Sequence, residues 1–316
     1  MSGVLEQAAA KAVQCVGIAA GERVAVLHNP DQAAIAQALA DAARALGAEV
    51  ELVGFAKLAR HGAEPPQEVA DAILRADACL AATGTSLSHT RARLAGTARG
   101  NRFASLPTIT EDIFARTVPV DYAEMTRAGD AIAALITQAD SVHITSALGT
   151  DVTISVAGRD GRNDDGNLRA PGAFGNLPAG EGYVAPVEHE GEGVMVFDGS
   201  IAGHGRLTEP VRARLRGGRI VEASGAIGAW LLATLDAGGE SGRSIAELGI
   251  GTNPAATLGG VVLEDEKIRG TAHIAFGSSA GIGGVVQSDV HLDAIMLAPT
   301  VEIAGTTVVA DGKLVI

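Results

Sequence analysis

In residues 287–299, QSDVHLDAIMLAP, a histidine and an aspartate stand two residues apart, His291 and Asp293, within a regularly apolar run. If the run is a strand, side chains alternate between its faces, so His291, Asp293, Ile295 and Leu297 share one side while Leu292, Ala294 and Met296 share the other. A carboxylate buried in such a strand is costly unless it is paired, hydrogen-bonded or bound to a metal. The HxD pair is therefore a potential ligand pair.

Three other stretches of the second half carry acids or histidines in apolar or glycine-rich surroundings. They are GNLPAGEGYVAPVE with Glu181 and Glu188, SIAELGIGTNP with Glu247, and GTAHIAFGSSAGIGG with His273. Imidazole nitrogen combined with carboxylate oxygen suits a borderline divalent ion such as Zn, Co, Mn or Fe(II), and the absence of thiolates favours a catalytic over a closed structural site. Each residue also has a plain structural reading: Glu181 as a turn acid, Ser244 with Glu247 as a capping box, His273 as a satisfied core histidine. Their combination is what points to a metal. GSSAG, residues 277–281, matches the nucleophile-elbow pattern, but the glycine-rich GIGG that follows is unsuited to the helix such an elbow must open. NDDGN, residues 163–167, lacks the alternating ligands of a calcium loop and reads as a solvated turn.

The elements that must position these groups fall into two kinds. In the first half, ERVAVLHN reads as a strand, PDQAAIAQALADAARALGAE as a helix closed by Gly47, and VELVGF as the next strand, a βαβ unit. The pattern continues through PQEVADAILRA, ACLAATG and NRFASLP, so residues 1–137 read as a small doubly wound, flavodoxin-like α/β domain with a parallel sheet. Asn29-Pro30-Asp31 stands where a dinucleotide-binding glycine loop would be, which excludes a site of that kind. Residues 138–316 switch to strands joined by Gly and Asp turns, with one clear helix in AIGAWLLATLDAGG. That is a mainly antiparallel, β-rich domain, and the chain as a whole is α/β plus α+β.

The 316 residues carry a formal charge of −13, which argues against nucleic acid or an anionic membrane as partner. No segment has the roughly 18 uninterrupted apolar residues of a membrane span. The amino-terminal stretch lacks a secretory pattern, and the two cysteines, Cys15 and Cys79, form no CxxC motif; a cytoplasmic location with reduced thiols is the expectation.

Over HITSALGTDVTISVAGR, GNLPAGEGYVAPVE, ELGIGTNP, EDEKIRGTAHIAFG and HLDAIML, most of residues 141–304, the chain resembles the aminopeptidase T group, the thermophilic metalloprotease family of leucyl aminopeptidases. SLSHTRAR and ITEDIF carry a looser resemblance in the first half. The resemblance implies a two-metal site with Glu181, Glu247, His273, His291 and Asp293 as ligands, Glu247 bridging, and a homodimer. The family has a tyrosine seven residues after the histidine of its HIALG block; here that register holds Ala280. The chain is similar in length to a related branch, the 2,5-dihydroxypyridine dioxygenases, which use one Fe(II) held by two histidines and an aspartate. There a histidine replaces the acid of the ELGIG block, so Glu247 favours the hydrolytic arrangement.

The resulting expectation is a metal-dependent hydrolase of amide or peptide bonds in which one or two divalent ions activate water against a carbonyl. Glu188 is a candidate general base, and His89 and Arg91, with Glu111 and Asp112, are candidates for binding a small-molecule or peptide substrate. The alternatives are a ring-cleaving Fe(II) dioxygenase with His273, His291 and Asp293 as its triad, and a binding protein with an altered metal site.

Overall fold

The computed structural model describes residues 2–316. The chain forms two compact units: Met1–Asp121 with Gly166–Ala179, and Tyr122–Asp165 with Gly180–Ile316. The expected boundary at 137 thus falls at the end of a helix, Tyr122–Thr137, that belongs to the second unit. Sequence position alone would assign this amphipathic helix to the α/β half, but Ile132 and Ile136 are buried in the second unit's core. No helix among the described residues is long and apolar enough to cross a membrane.

The first unit is a parallel sheet in the order Glu49–Gly54, Arg23–His28, Ala78–Thr83, Arg102–Pro107, Phe174–Asn176. Its fifth strand comes from the returning segment. Ala78–Thr83 is buried along its whole length, as a central parallel strand covered on both faces must be. Asn29, buried where a glycine loop would open, donates to the Phe55 carbonyl at 2.9 Å and accepts from Gly84 N–H at 2.7 Å. It thereby fastens the carboxyl ends of neighbouring strands, which gives NPD a structural role.

The second unit holds two antiparallel sheets. One runs Arg219–Ala223, Val211–Arg216, Glu192–Phe197, Asp151–Ser155, Ser141–Thr145, Thr300–Ile303, Thr306–Ala310, Lys313–Leu314. The other runs Gly205–Arg206, Ser200–Ile201, His291–Met296, Ala272–Gly277, Ile245–Gly251, Glu181–Val184, Arg162–Asp164. One apolar core joins them, with Val142, Ile144, Val152 and Ile154 from the first sheet and Leu248, Ile250, Ile274, Phe276, Ala294 and Met296 from the second. Phe197 meets Phe276 edge-on, ring centroids 6.4 Å apart. The expected α/β plus α+β class is the one observed.

Two local expectations change. Ser244 and Glu247 form no capping box, because residues Ile245–Gly251 are a fully buried strand. NDDGN is not a solvated turn either: Asp164 ends the edge strand Arg162–Asp164 with a nearly buried side chain 3.6 Å from Lys267. GSSAG leads from the end of strand Ala272–Gly277 into turns with no helix behind it, so no nucleophile elbow exists.

Three loops of this unit meet at Glu188, which pairs with Arg159 and accepts a 3.0 Å hydrogen bond from Val285 N–H, while Arg159 also donates to the Gly283 carbonyl at 3.2 Å. Burial raises the Glu188 pKa, but the backbone N–H of Val285 and the Arg159 guanidinium outweigh it, leaving the carboxyl below its ordinary 4.5. Its contribution to stability is therefore complete above pH 4.5 and disappears as pH falls through the lower folded-state value. Glu188→Gln should cost about 1–2 kcal/mol at neutral pH. Urea melts of the two proteins should converge on acidification; an undiminished gap at pH 3 would contradict the assignment.

Candidate metal centre

Cross-strand register places the polar residues. Directly paired residues of antiparallel strands point to the same face. Asp164 pairs with Glu181, Tyr183 with Gly249, Gly249 with His273, Ala275 with Asp293, and Gly277 with His291. Glu247, past a bulge, faces Ala275. One face of the seven-stranded sheet therefore carries Asp164, Glu181, Tyr183, Glu247, His273, Asp293 and His291, and the alternate residues supply the apolar core. Between the donors stand Gly249, Gly251, Ala275 and Gly277, which leave room for the long side chains to lean across.

Gly249 shows this need most directly. A Cβ there would lie 2.1 Å from His273 Cε1 and 2.3 Å from its Nε2, so the imidazole occupies the space a side chain would take. Lying over that backbone, His273 reaches Glu181 two strands away, Nε2 to Oε2 at 3.2 Å, and Glu247 Oε1 at 3.7 Å. His291 Nε2 stands 3.3 Å from Glu247 Oε2 and 3.5 Å from Asp293 Oδ1. Its Nδ1 lies 2.7 Å from the Ser278 carbonyl, an acceptor that fixes the proton on Nδ1 and leaves the Nε2 lone pair toward the acids. All five expected donors thus converge on one place.

Two further groups complete it, both from EDEKIRG. Lys267 is fully buried, with Nζ hydrogen-bonded to Glu181 Oε1, 2.9 Å from Glu266 Oε1 and 3.6 Å from Asp164 Oδ2. Sequence reasoning missed Lys267 and Glu266 because a run of alternating charge ordinarily marks a solvated surface, and Asp164 because NDDGN reads as a solvated turn. Tyr183 was missed as well. Its phenol, pushed upward by burial and by Glu247, Asp164 and Glu181, puts a hydroxyl on this face although position 280 holds an exposed alanine.

The electrostatics follow from many acids and one ammonium. Burial raises every carboxyl; Lys267 and His273 bring Glu181 down to about 2, whereas Asp164 is left at about 7 and Glu266 at about 8. Burial would lower Lys267, yet its three acidic neighbours hold it well above its ordinary value. Burial likewise opposes the charged form of both histidines, but Glu181 and Glu247 around His273, and Asp293 and Glu247 around His291, raise them strongly. With no metal, the pocket gathers protons on its imidazoles, and a divalent cation would supply the same positive charge while releasing them.

The donors fit such an ion. Glu181, Glu247 and His273; Glu247, His291 and Asp293; and Glu266, His273 and Asp293 each offer ligand atoms within 4.8 Å of one another. His273 Nδ1 and Glu181 Oε2 are buried with no hydrogen-bond partner; the 3.2 Å approach of Glu181 Oε2 to His273 Nε2 is close but misdirected. Buried polar atoms left this way cost about 1–3 kcal/mol each.

The remaining expected site residues have surroundings of their own. Glu188, the candidate base, is committed to Arg159 and Val285 and is not a member of these donor groups. Arg91, in the first unit, is exposed with Nε 3.4 Å from Glu64; His89 immediately precedes Thr90, which caps helix Arg91–Ala98. Glu111 and Asp112 open helix Glu111–Thr117, where Asp112 pairs with Arg116 at 2.8 Å.

The fold has solved counterparts. A 2,5-dihydroxypyridine dioxygenase from Pseudomonas putida KT2440 superposes with a TM-score of 0.84 at 20% identity, covering 98% of this chain and 96% of that one. AmpT from Thermus thermophilus gives 0.75, also at 20% identity, with both chains fully covered. No curated protein sequence matches significantly. The family profile NicX, 2,5-dihydroxypyridine 5,6-dioxygenase, matches residues 5–316. This overturns the hydrolytic expectation, which rested on the acid at 247. In the structure the two oxygens of Glu247 are divided between the two histidines, an arrangement equally open to an oxygenase site. Since the profile spans nearly the whole chain, the protein belongs to the 2,5-dihydroxypyridine 5,6-dioxygenase family.

Proposed function

We propose that this chain is a non-haem Fe(II) dioxygenase that opens the ring of a hydroxypyridine-type aromatic. The observation that carries the reading is the family match over residues 5–316, together with two histidines and an aspartate on one sheet face. His273, His291 and Asp293 would hold the ion, the two-histidine, one-carboxylate set of non-haem iron oxygenases. Ferrous iron, when bound, supplies the one-electron steps that let dioxygen react with a closed-shell aromatic ring.

The chain's own residues would have four tasks. Ser278, through its carbonyl, fixes the tautomer and ring plane of His291. Gly249 leaves the space in which the His273 ring lies. Glu247, with one oxygen toward each imidazole, orients both and can accept a proton at either oxygen. Access is asymmetric: the His291 side chain is 22% exposed and that of His273 only 1%, so substrate would enter at the His291–Asp293 end while the His273 end stays dry.

Protein loaded anaerobically with Fe(II) and given 2,5-dihydroxypyridine should leave it unchanged until air is admitted, then consume substrate and dioxygen in equal amounts. An oxygen electrode read against the aromatic absorbance measures this. Cleavage of aminoacyl amides under argon without oxygen uptake would defeat the proposal. His291→Ala should lower turnover by at least about 100-fold, the upper end of what loss of an outer-shell partner costs a metal site. Gly249→Ala should weaken metal binding about tenfold or more without unfolding the chain, because a methyl group there displaces the His273 ring. Calorimetric titration with Mn(II) checks it; an unchanged affinity would show that the ring position does not matter.

A further inference from the structure

Lys267 presents three ammonium protons, and three carboxylates face them: Glu181, Glu266 and Asp164. The ammonium is thus enclosed by oxygen donors in the way a bound metal ion would be, in the buried part of the cluster. We propose that Lys267 is a built-in substitute for a second metal ion, so that the centre takes a single divalent cation at its exposed end.

The donor groups divide accordingly. Two of the three possible metal-binding triplets draw on a carboxylate already engaged by Nζ: Glu181 in one, Glu266 in the other. The third, Glu247 with His291 and Asp293, uses none, and it includes the more exposed His291. His273, 3.7 Å from Glu247, stands beside it as the second imidazole of the proposed iron set. A second divalent ion drawing on Glu181 or Glu266 would have to share that ligand with an ammonium, and the two cations would repel one another across a few ångströms of buried space. The Lys267 side chain is 1% exposed, so water cannot screen that repulsion. This inference rests on reading the cluster as a metal centre and adds which of its donors are left for metal.

The test is metal count. Chelator-treated protein is titrated with Co(II), and bound ions per chain are read by native mass spectrometry alongside the cobalt absorption spectrum. Wild type should saturate at one ion. Lys267→Gln, which frees Glu181 and Glu266, should saturate at two, and Lys267→Arg, which keeps a cation, should remain at one. Glu266→Gln should also remain at one, with an affinity within about threefold of wild type. Two ions in the wild type, or one in a folded Lys267→Gln, would overturn the proposal. Should Lys267→Gln fail to fold, Glu266→Gln decides: retained single-ion binding supports the proposal, and loss of binding by more than about tenfold overturns it. A wild type that binds no Co(II) at all would instead defeat the metal-centre reading beneath it.

Discussion

Everything at this site follows from the cost of holding acids out of water. Glu181, Glu247 and Glu266 are buried, and the side chains of Asp164 and Asp293 are nearly so. An isolated ionised carboxylate transferred to such surroundings is prohibitive, so each must find a proton, a cation or a hydrogen bond. The chain answers with one lysine, two histidines and displaced pKa values. Removing a single partner would leave the rest uncompensated, which is why the groups act as a unit.

The β-sandwich makes this concentration of charge possible. A half-buried strand with polar and apolar residues in alternation ordinarily shows its polar face to water. Here strands 181–184, 245–251, 272–277 and 291–296 turn one face to an apolar core and the other to a buried polar layer. Strand register then fixes which donors meet, since a slip of one residue would exchange core and cluster along a whole strand. The bulge between Ile245 and Glu247 breaks the pairing just before the acid, which itself keeps the register of Leu248, Gly249 and Ile250.

Much of this was legible in the sequence, and the reasons for the exceptions are physical. His291 and Asp293 announce themselves because an apolar run with period two has no structural use for either. The α/β and β-rich halves are visible in their periodicities. Glu181, Glu247 and His273 stand out as acids and a histidine in apolar or glycine-rich surroundings, but short-range pattern gives each a plain alternative and only their combination, with the family resemblance, argues for a metal; the structure removes the capping-box reading of Glu247 by making it part of a strand. The return of residues 166–179 to the first unit could not be read, because strand Phe174–Asn176 is three residues long and pairs with a strand some seventy positions earlier. Lys267 stayed hidden for the opposite reason: EDEK carries the charge density of a surface helix, and only tertiary packing brings it inside.

The misassignment of chemistry has a cause of the same kind. A pair of ions sharing a hydroxide and a lone iron with open positions call on the same imidazoles and carboxylates, so donor identity does not separate hydrolysis from oxygenation. Charge does separate them. Burial pushes Asp164 and Glu266 up, to about 7 and about 8, while Glu181, Glu247 and Asp293 are held below their ordinary values by the lysine and the histidines beside them. An ammonium and one divalent ion match the charge of those three acids, whereas an ammonium and two divalent ions exceed it. The residue that distinguishes the two chemistries therefore need not be a metal ligand: it can be the fixed cation that decides how many ions the ligands are free to bind.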